Sequence, residues 1–227
     1  MTAGPPRRLG RPPTSNSAET RRRILEVALE SFAELGYGVT TNKDVATKAG
    51  ITTGALYHYF DSKRDMYLAV YDHVQATVFT LFDEAMATSA TFVGQLEALL
   101  ETAYRINAEQ RGLASFLGAA RIDMTRHEEL RSVDGRPGEG TRFLDRLVSN
   151  GVRTGEILPA QRDQVVALVR TVFVGLVVGV SNNPKDHRDA ISGIEALLEG
   201  RLLHPPKPAR TPGPGRRSTG RAKGSAR

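Results

Sequence analysis

The chain has 227 residues, a net charge of +6 and no cysteine, so neither a disulfide framework nor a thiolate metal site or nucleophile is available to it. Its length suffices for one or two domains with a real core. Its most apolar run, VVALVRTVFVGLVVGV (165–180), is interrupted by Arg170 and falls short of the roughly 20 apolar residues that span a bilayer.

The charge is unevenly placed. Arg7, Arg8 and Arg11 lie in residues 1–16, and Lys207, Arg210, Arg216, Arg217, Arg221, Lys223 and Arg227 in residues 204–227, with no acid in either stretch. These cations outnumber the net +6, so the body between them is mildly acidic. Basic, Pro/Gly-rich ends read either as tails that meet a polyanion or as solvated, disordered segments. LGRPP (9–13) resembles the core of an AT-hook, which would lay Arg11 in a narrow minor groove; the alternative is a leader adding only non-specific charge. The opening stretch has charges but no apolar segment after them, so it does not read as a secretory leader, and the expected location is the cytoplasm.

Between the ends nearly everything reads as helix. Asn16 or Ser17 is the predicted N-cap of a first helix, with Glu19 placed for a capping box. Ile24, Leu25, Ala28, Leu29, Phe32 and Leu35 recur on one face, and Gly36 and Gly38 end it. In TNKDVATKAG, Thr41 is the cap, Val45, Ala46 and Ala49 point inward, and Gly50 is the stop. After a turn of about three residues, Thr52 caps a short helix over about 53–59, with Leu56 and Phe60 as inward anchors. Ser62, with Asp65 three later, opens a long helix.

Further amphipathic helices are predicted over 91–110 and 112–124, with a loop at 134–140. Others run from Thr141 to about Gly151 or Gly155, over 160–180 and over 186–203. The β-branched run at 165–180 could form a strand, but no second strand exists to pair with it, so helix is preferred.

Two short helices joined by a glycine-containing turn form a helix-turn-helix. The first braces across the DNA backbone and the second enters the major groove. The segment TTNKDVATKAGITTGALYHYFDSKRDMYLAV resembles the DNA-binding segment of the TetR family of bacterial transcriptional regulators. Thr41, Val45, Ala46, Ala49, Gly50, Gly54, Leu56, Tyr57, Phe60 and Lys63 match that family's pattern in order and spacing. GVRTGEI (151–157) resembles a turn of its second domain, while Asn42 stands where an apolar residue is usual.

The resemblance implies an all-α subunit: a basic arm (1–16), a three-helix DNA-binding domain (17–65), a helical effector-binding and dimerisation domain (66–203) and a basic tail (204–227). Its partners would be a double-stranded operator, a small-molecule effector and a second copy of the chain, with no membrane. Specificity would rest on Thr53, Tyr57 and His58, beside Thr52, Gly54 and Ala55, and phosphate anchoring on Thr41, Tyr59 and Lys63. Effector-wall candidates are Phe82, Met86, Leu100, Tyr104 and Phe116, with Leu117, Arg121, Phe143 and Leu147; the alternative is that most are simply core. Val165, Leu168, Val172, Leu176 and Gly179 form a stripe for a dimer interface, against the alternative of an ordinary buried helix.

Asp123 and His127 sit four apart beside Glu128 and could ligate a metal; a polar, solvated helix end is preferred. No G-x-S-x-G, Walker loop or H-E-x-x-H is present, so no enzyme, cofactor or metal is expected. The competing reading of function is an architectural protein that coats DNA without an effector.

Overall fold

The computed structural model describes residues 13–131, 138–179 and 183–202, with side chains from 17 onward. All regular structure among them is helical. The helices are α1 (Pro13–Val39), α2 (Asn42–Lys48), α3 (Thr53–Leu56), α4 (Lys63–Met86), α5 (Phe92–Glu109), α6 (Arg111–Arg126), α7 (Glu139–Thr154), α8 (Arg162–Gly179) and α9 (Pro184–Leu198). Single 3-10 turns sit at Glu128–Leu130 and Pro159–Gln161. The run at 165–180 is therefore helix through Gly179, and no described helix is long and apolar enough to cross a membrane.

The first helix departs from its predicted start. It runs from Pro13, so Asn16 and Ser17 lie inside it rather than capping it; proline suits a first turn, where no amide partner is needed. Gly36 breaks it with φ 75, a left-handed conformation that costs glycine little. The chain kinks there and buries Tyr37, on the core side, in place of Leu35 that the periodicity had put inward. Leu35 is left 45 % exposed.

One core runs without a gap through the molecule. Ile24, Ala28 and Phe32 of α1 meet Val45 and Leu56, Met66 and Tyr67 carry the cluster along α4, and Leu99, Leu100, Phe116 and Leu147 continue it. α1 lies along α6, α5 is surrounded by α4, α6, α7 and α9, and α8 closes over α6 and α7. A ring cluster of Phe79, Phe82, Phe143 and Phe173, with centroids 5.3–6.2 Å apart, ties α4, α7 and α8 together.

The GVRTGEI turn has a definite task. Gly151 lies against Ile157 and Phe92 so closely that an added Cβ would stand 2.5 Å from Ile157 Cδ1 and 3.0 Å from Phe92 Cβ. Gly155 turns the chain at φ 80. Glu156 then accepts hydrogen bonds from the amides of Phe92 (2.7 Å) and Val93 (3.1 Å), capping α5 from 64 and 63 residues away. The Thr154 hydroxyl, which donates at 2.6 Å, and after it these amides hold the Glu156 carboxyl below its ordinary pKa.

Candidate nucleic-acid interface

The helix-turn-helix is built from short-range signals. At α2 the Thr41 hydroxyl accepts the Asp44 amide (3.2 Å) and donates to Asp44 Oδ2 (2.6 Å), while the Thr41 amide donates to the same carboxylate (3.3 Å). This reciprocal box lowers the Asp44 pKa, chiefly through the Thr41 hydroxyl. Val45 and Ala46 are buried beneath it, and Gly50 takes φ 67 to turn the chain.

α3 is a single turn, far too short to persist alone. It is held by Thr52, whose hydroxyl accepts the Ala55 amide at 3.1 Å, and by the burial of Leu56, worth about 1.5–3 kcal/mol. The predicted helix over 53–59 is shorter in fact. Beyond Leu56 the bonding tightens to three-residue spacing, with the His58 amide on Ala55 O (3.2 Å) and the Tyr59 amide on Leu56 O (2.9 Å). That tightening turns Phe60 into the core at the required angle.

The outward face is then plain. Thr52, Gly54, Tyr57 and His58 are exposed, Thr53 and Ala55 half-buried, and Tyr59 partly buried against the core. A Cβ on Gly54 would meet only Thr52 Oγ1, at 3.9 Å, so the backbone there is open to close approach.

Two expected phosphate anchors are otherwise engaged. The Thr41 hydroxyl is used in both senses by Asp44. Lys63 Nζ donates to Tyr37 O at 2.8 Å and lies 4.4 Å over the Tyr37 ring, binding the carbonyl end of α1. Sequence reasoning passed over Lys43 and Lys48, which are exposed on α2, and marked Asn42 only as a departure from the family pattern; its Nδ2 donates to the Tyr57 phenol oxygen at 3.2 Å. No local pattern signals that bond, since its partners are 15 residues apart. Arg11 and the basic stretches 1–12 and 204–227 lie outside the described residues.

Asp123 corrects the reading of a solvated helix end. It is 7 % exposed, and its Oδ2 accepts from the Tyr37 amide (2.9 Å) and the Tyr67 hydroxyl (3.1 Å). Thus α6 holds the turn from which the helix-turn-helix departs. His127 packs on the Tyr37 ring at 5.0 Å. Among the described residues no group of three metal-ligating side chains forms. Burial raises the pKa of both tyrosines, with Asp123 the next cause at Tyr67.

The effector-wall candidates, Arg121 excepted, lie in or against the one core, in different surroundings. Phe82 and Phe143 share the ring cluster, whereas Phe116 packs on Tyr67 at 5.4 Å, near the Asp123 joint. Tyr104 lies at α9, under Arg188 at 3.6 Å. Leu100 and Leu147 are fully buried, Met86 and Leu117 half-buried, and Arg121 is exposed. A shallow surface groove on α4, lined by Ala76, Thr77, Thr80 and Leu81, contains none of them. Of the predicted dimer stripe, Leu168 is 60 % exposed, Val165 and Val172 half-buried and Gly179 exposed. Leu176 is 4 % exposed and belongs to the protomer's own core, because the helix face turns inward there.

Residues 24–70 match the sequence pattern of bacterial regulatory proteins, tetR family. Over 104 residues the chain is 36 % identical to the HTH-type transcriptional repressor KstR2 of Rhodococcus jostii (strain RHA1), a match covering 45 % of this chain and 51 % of that protein. The matched segment thus spans about half the length of that relative. Among solved structures, a putative TetR-family regulator from Rhodococcus sp. superposes with a TM-score of 0.65 at 19 % identity, covering 82 % of this chain and all of the other. FadR from Bacillus subtilis, in complex with stearoyl-CoA, superposes with a TM-score of 0.63 at 20 % identity, covering 81 % and 99 %. With its ten motif positions and its helix-turn-helix geometry, the chain carries at residues 24–70 the DNA-binding segment of bacterial regulatory proteins of the tetR family, on an all-helical body whose fold is similar to that of TetR-family structures.

Proposed function

We propose that this protein is a ligand-responsive DNA-binding transcriptional regulator, a repressor released from a palindromic operator by a small molecule. The observation that carries the reading is the division of labour in α3. Leu56 and Phe60 anchor it inward, leaving Thr52, Gly54, Tyr57 and His58 exposed. Such a face fits a major groove and offers hydrogen-bonding groups to base edges and phosphates.

Residues 17–65 would bind DNA and 66–203 would hold the effector and the dimer contact. Exposed Leu168 and Val178 on α8 and Leu197 and Leu198 on α9 give that contact an apolar surface. The FadR neighbour was solved with stearoyl-CoA, which supports a small-molecule site in the helical body. The protein would act in the cytoplasm, where its DNA is.

The test is a titration at near-physiological salt, comparing DNA upstream of the protein's own gene with unrelated DNA of equal length. A preference of roughly a thousandfold is expected for a specific regulator. Equal affinity for both, falling together as salt rises, would favour the architectural reading, in which the basic ends supply the binding.

A further inference from the structure

We propose that Asn42 is a positioning residue for Tyr57, fixing its phenol as a hydrogen-bond donor towards DNA; the inference rests on the DNA-binding reading above.

Tyr57 is 50 % exposed and closes a helix of only four residues. Little in its own segment restrains the ring. The restraint comes from the bracing helix: Asn42 Nδ2 donates to the phenol oxygen at 3.2 Å. Asn42 is the first residue of α2, a helix locked by the Thr41–Asp44 box and by buried Val45 and Ala46. The side chain that faces the groove is therefore tied to the more rigid of the two helices.

The polarity of the bond matters as much as its presence. A phenol has one hydrogen to give and lone pairs to receive. Because Asn42 donates, the phenol proton remains available for an acceptor outside the protein. The orientation of the amide follows from its burial. As placed, the buried atom lacking a partner is the carbonyl oxygen Oδ1. The reversed amide would bury the NH2 group there, which is harder to leave unpaired than a carbonyl.

Tyr57 would thus seek an acceptor in or beside the major groove, such as purine N7, guanine O6, thymine O4 or a phosphate oxygen. An apolar residue at 42 would pack the start of α2 equally well and leave the ring free to rotate.

The experiment selects from random duplexes with the full chain, then measures affinity for the winning sequence. Wild type, Asn42→Leu, Tyr57→Phe, the double variant and Asn42→Asp are compared. Each of the first two single changes is expected to lose roughly tenfold, and the double variant no more than either alone. Asn42→Asp would accept the phenol proton and turn the donor away from DNA, losing at least as much.

If the acceptor is on a base, Asn42→Leu and Tyr57→Phe relax the preference at the same position. If it is a phosphate, the preference is kept and affinity falls on every sequence. Thermal melts that stay near wild type exclude a folding defect, and an Asn42→Leu protein that melts early is replaced by Asn42→Ala. Wild-type affinity and preference in Asn42→Leu, or losses that add in the double variant, would overturn the inference while leaving the regulator intact. A wild type that enriches no sequence would overturn the regulator reading itself.

Discussion

Thr41 and Thr91 each begin a helix, and each does so by accepting the amide three residues on, at 3.2 Å in both cases. They differ in where the rest of the cap comes from. At α2 the second acceptor is Asp44, in the same turn. At α5 it is Glu156, which arrives from the far side of the α7 turn to take the Phe92 and Val93 amides. One helix start is complete in ten residues of sequence, while the other needs the tertiary fold. The cap of α2 is therefore local, and the cap of α5 depends on a distant partner.

The largest way to break that contrast is to remove the anchor of α3. Leu56→Ala is expected to cost about 2–5 kcal/mol by thermal or urea unfolding and to abolish specific DNA binding, because no local signal can hold a one-turn helix. An equally direct blow to the body is Gly151→Ala, which forces a Cβ against Ile157 and Phe92. Overpacking there should lower stability by about 1–3 kcal/mol, read by the same melts, while the helix-turn-helix keeps its amide protection in hydrogen exchange.

The caps themselves give a finer comparison. Thr41→Ala is expected to cost about 1 kcal/mol, since Asp44 loses its partner along with the hydroxyl. Thr91→Ala should cost less than Thr41→Ala, because Glu156 still receives two amides of α5. Equal losses would mean that the distant cap contributes nothing.

The smallest effect is one of pH. Glu156 has its pKa depressed below the ordinary 4.5, mainly by the Thr154 hydroxyl and the Phe92 amide. In the window between the depressed value and 4.5 the unfolded chain binds more protons, so stability rises with pH there. The contribution is fully present above that window and is lost as pH falls through the folded value. Glu156→Gln should flatten the acid side of the melting-temperature profile, and an unchanged slope would show that the carboxylate is not acting as the α5 cap.

The same contrast explains what the sequence could reveal. Thr41, Gly50 and Thr52 were readable because each is fixed by neighbours within a few residues, and Val45, Leu56 and Phe60 because the motif spacing puts them on the inward face. Asp123 was misread as solvated because its partners, Tyr37 and Tyr67, are 86 and 56 residues away. Leu35 looked like core by period, yet Gly36 kinks the helix beside it and Tyr37 is buried instead. Lys63 matched a motif position, but matching a position does not show which way an ammonium is engaged. Asn42 marked a departure from the family pattern, and only the fold supplied its partner.

Hydroxyl-radical footprinting of the full chain on its most tightly bound duplex tests the central claim most directly. A dimeric reader should protect two short patches related by a two-fold axis, on one face of the duplex, with centres about one helical turn or a multiple of it apart. Continuous protection that spreads along the duplex with added protein, and shows no symmetric boundaries, would contradict it.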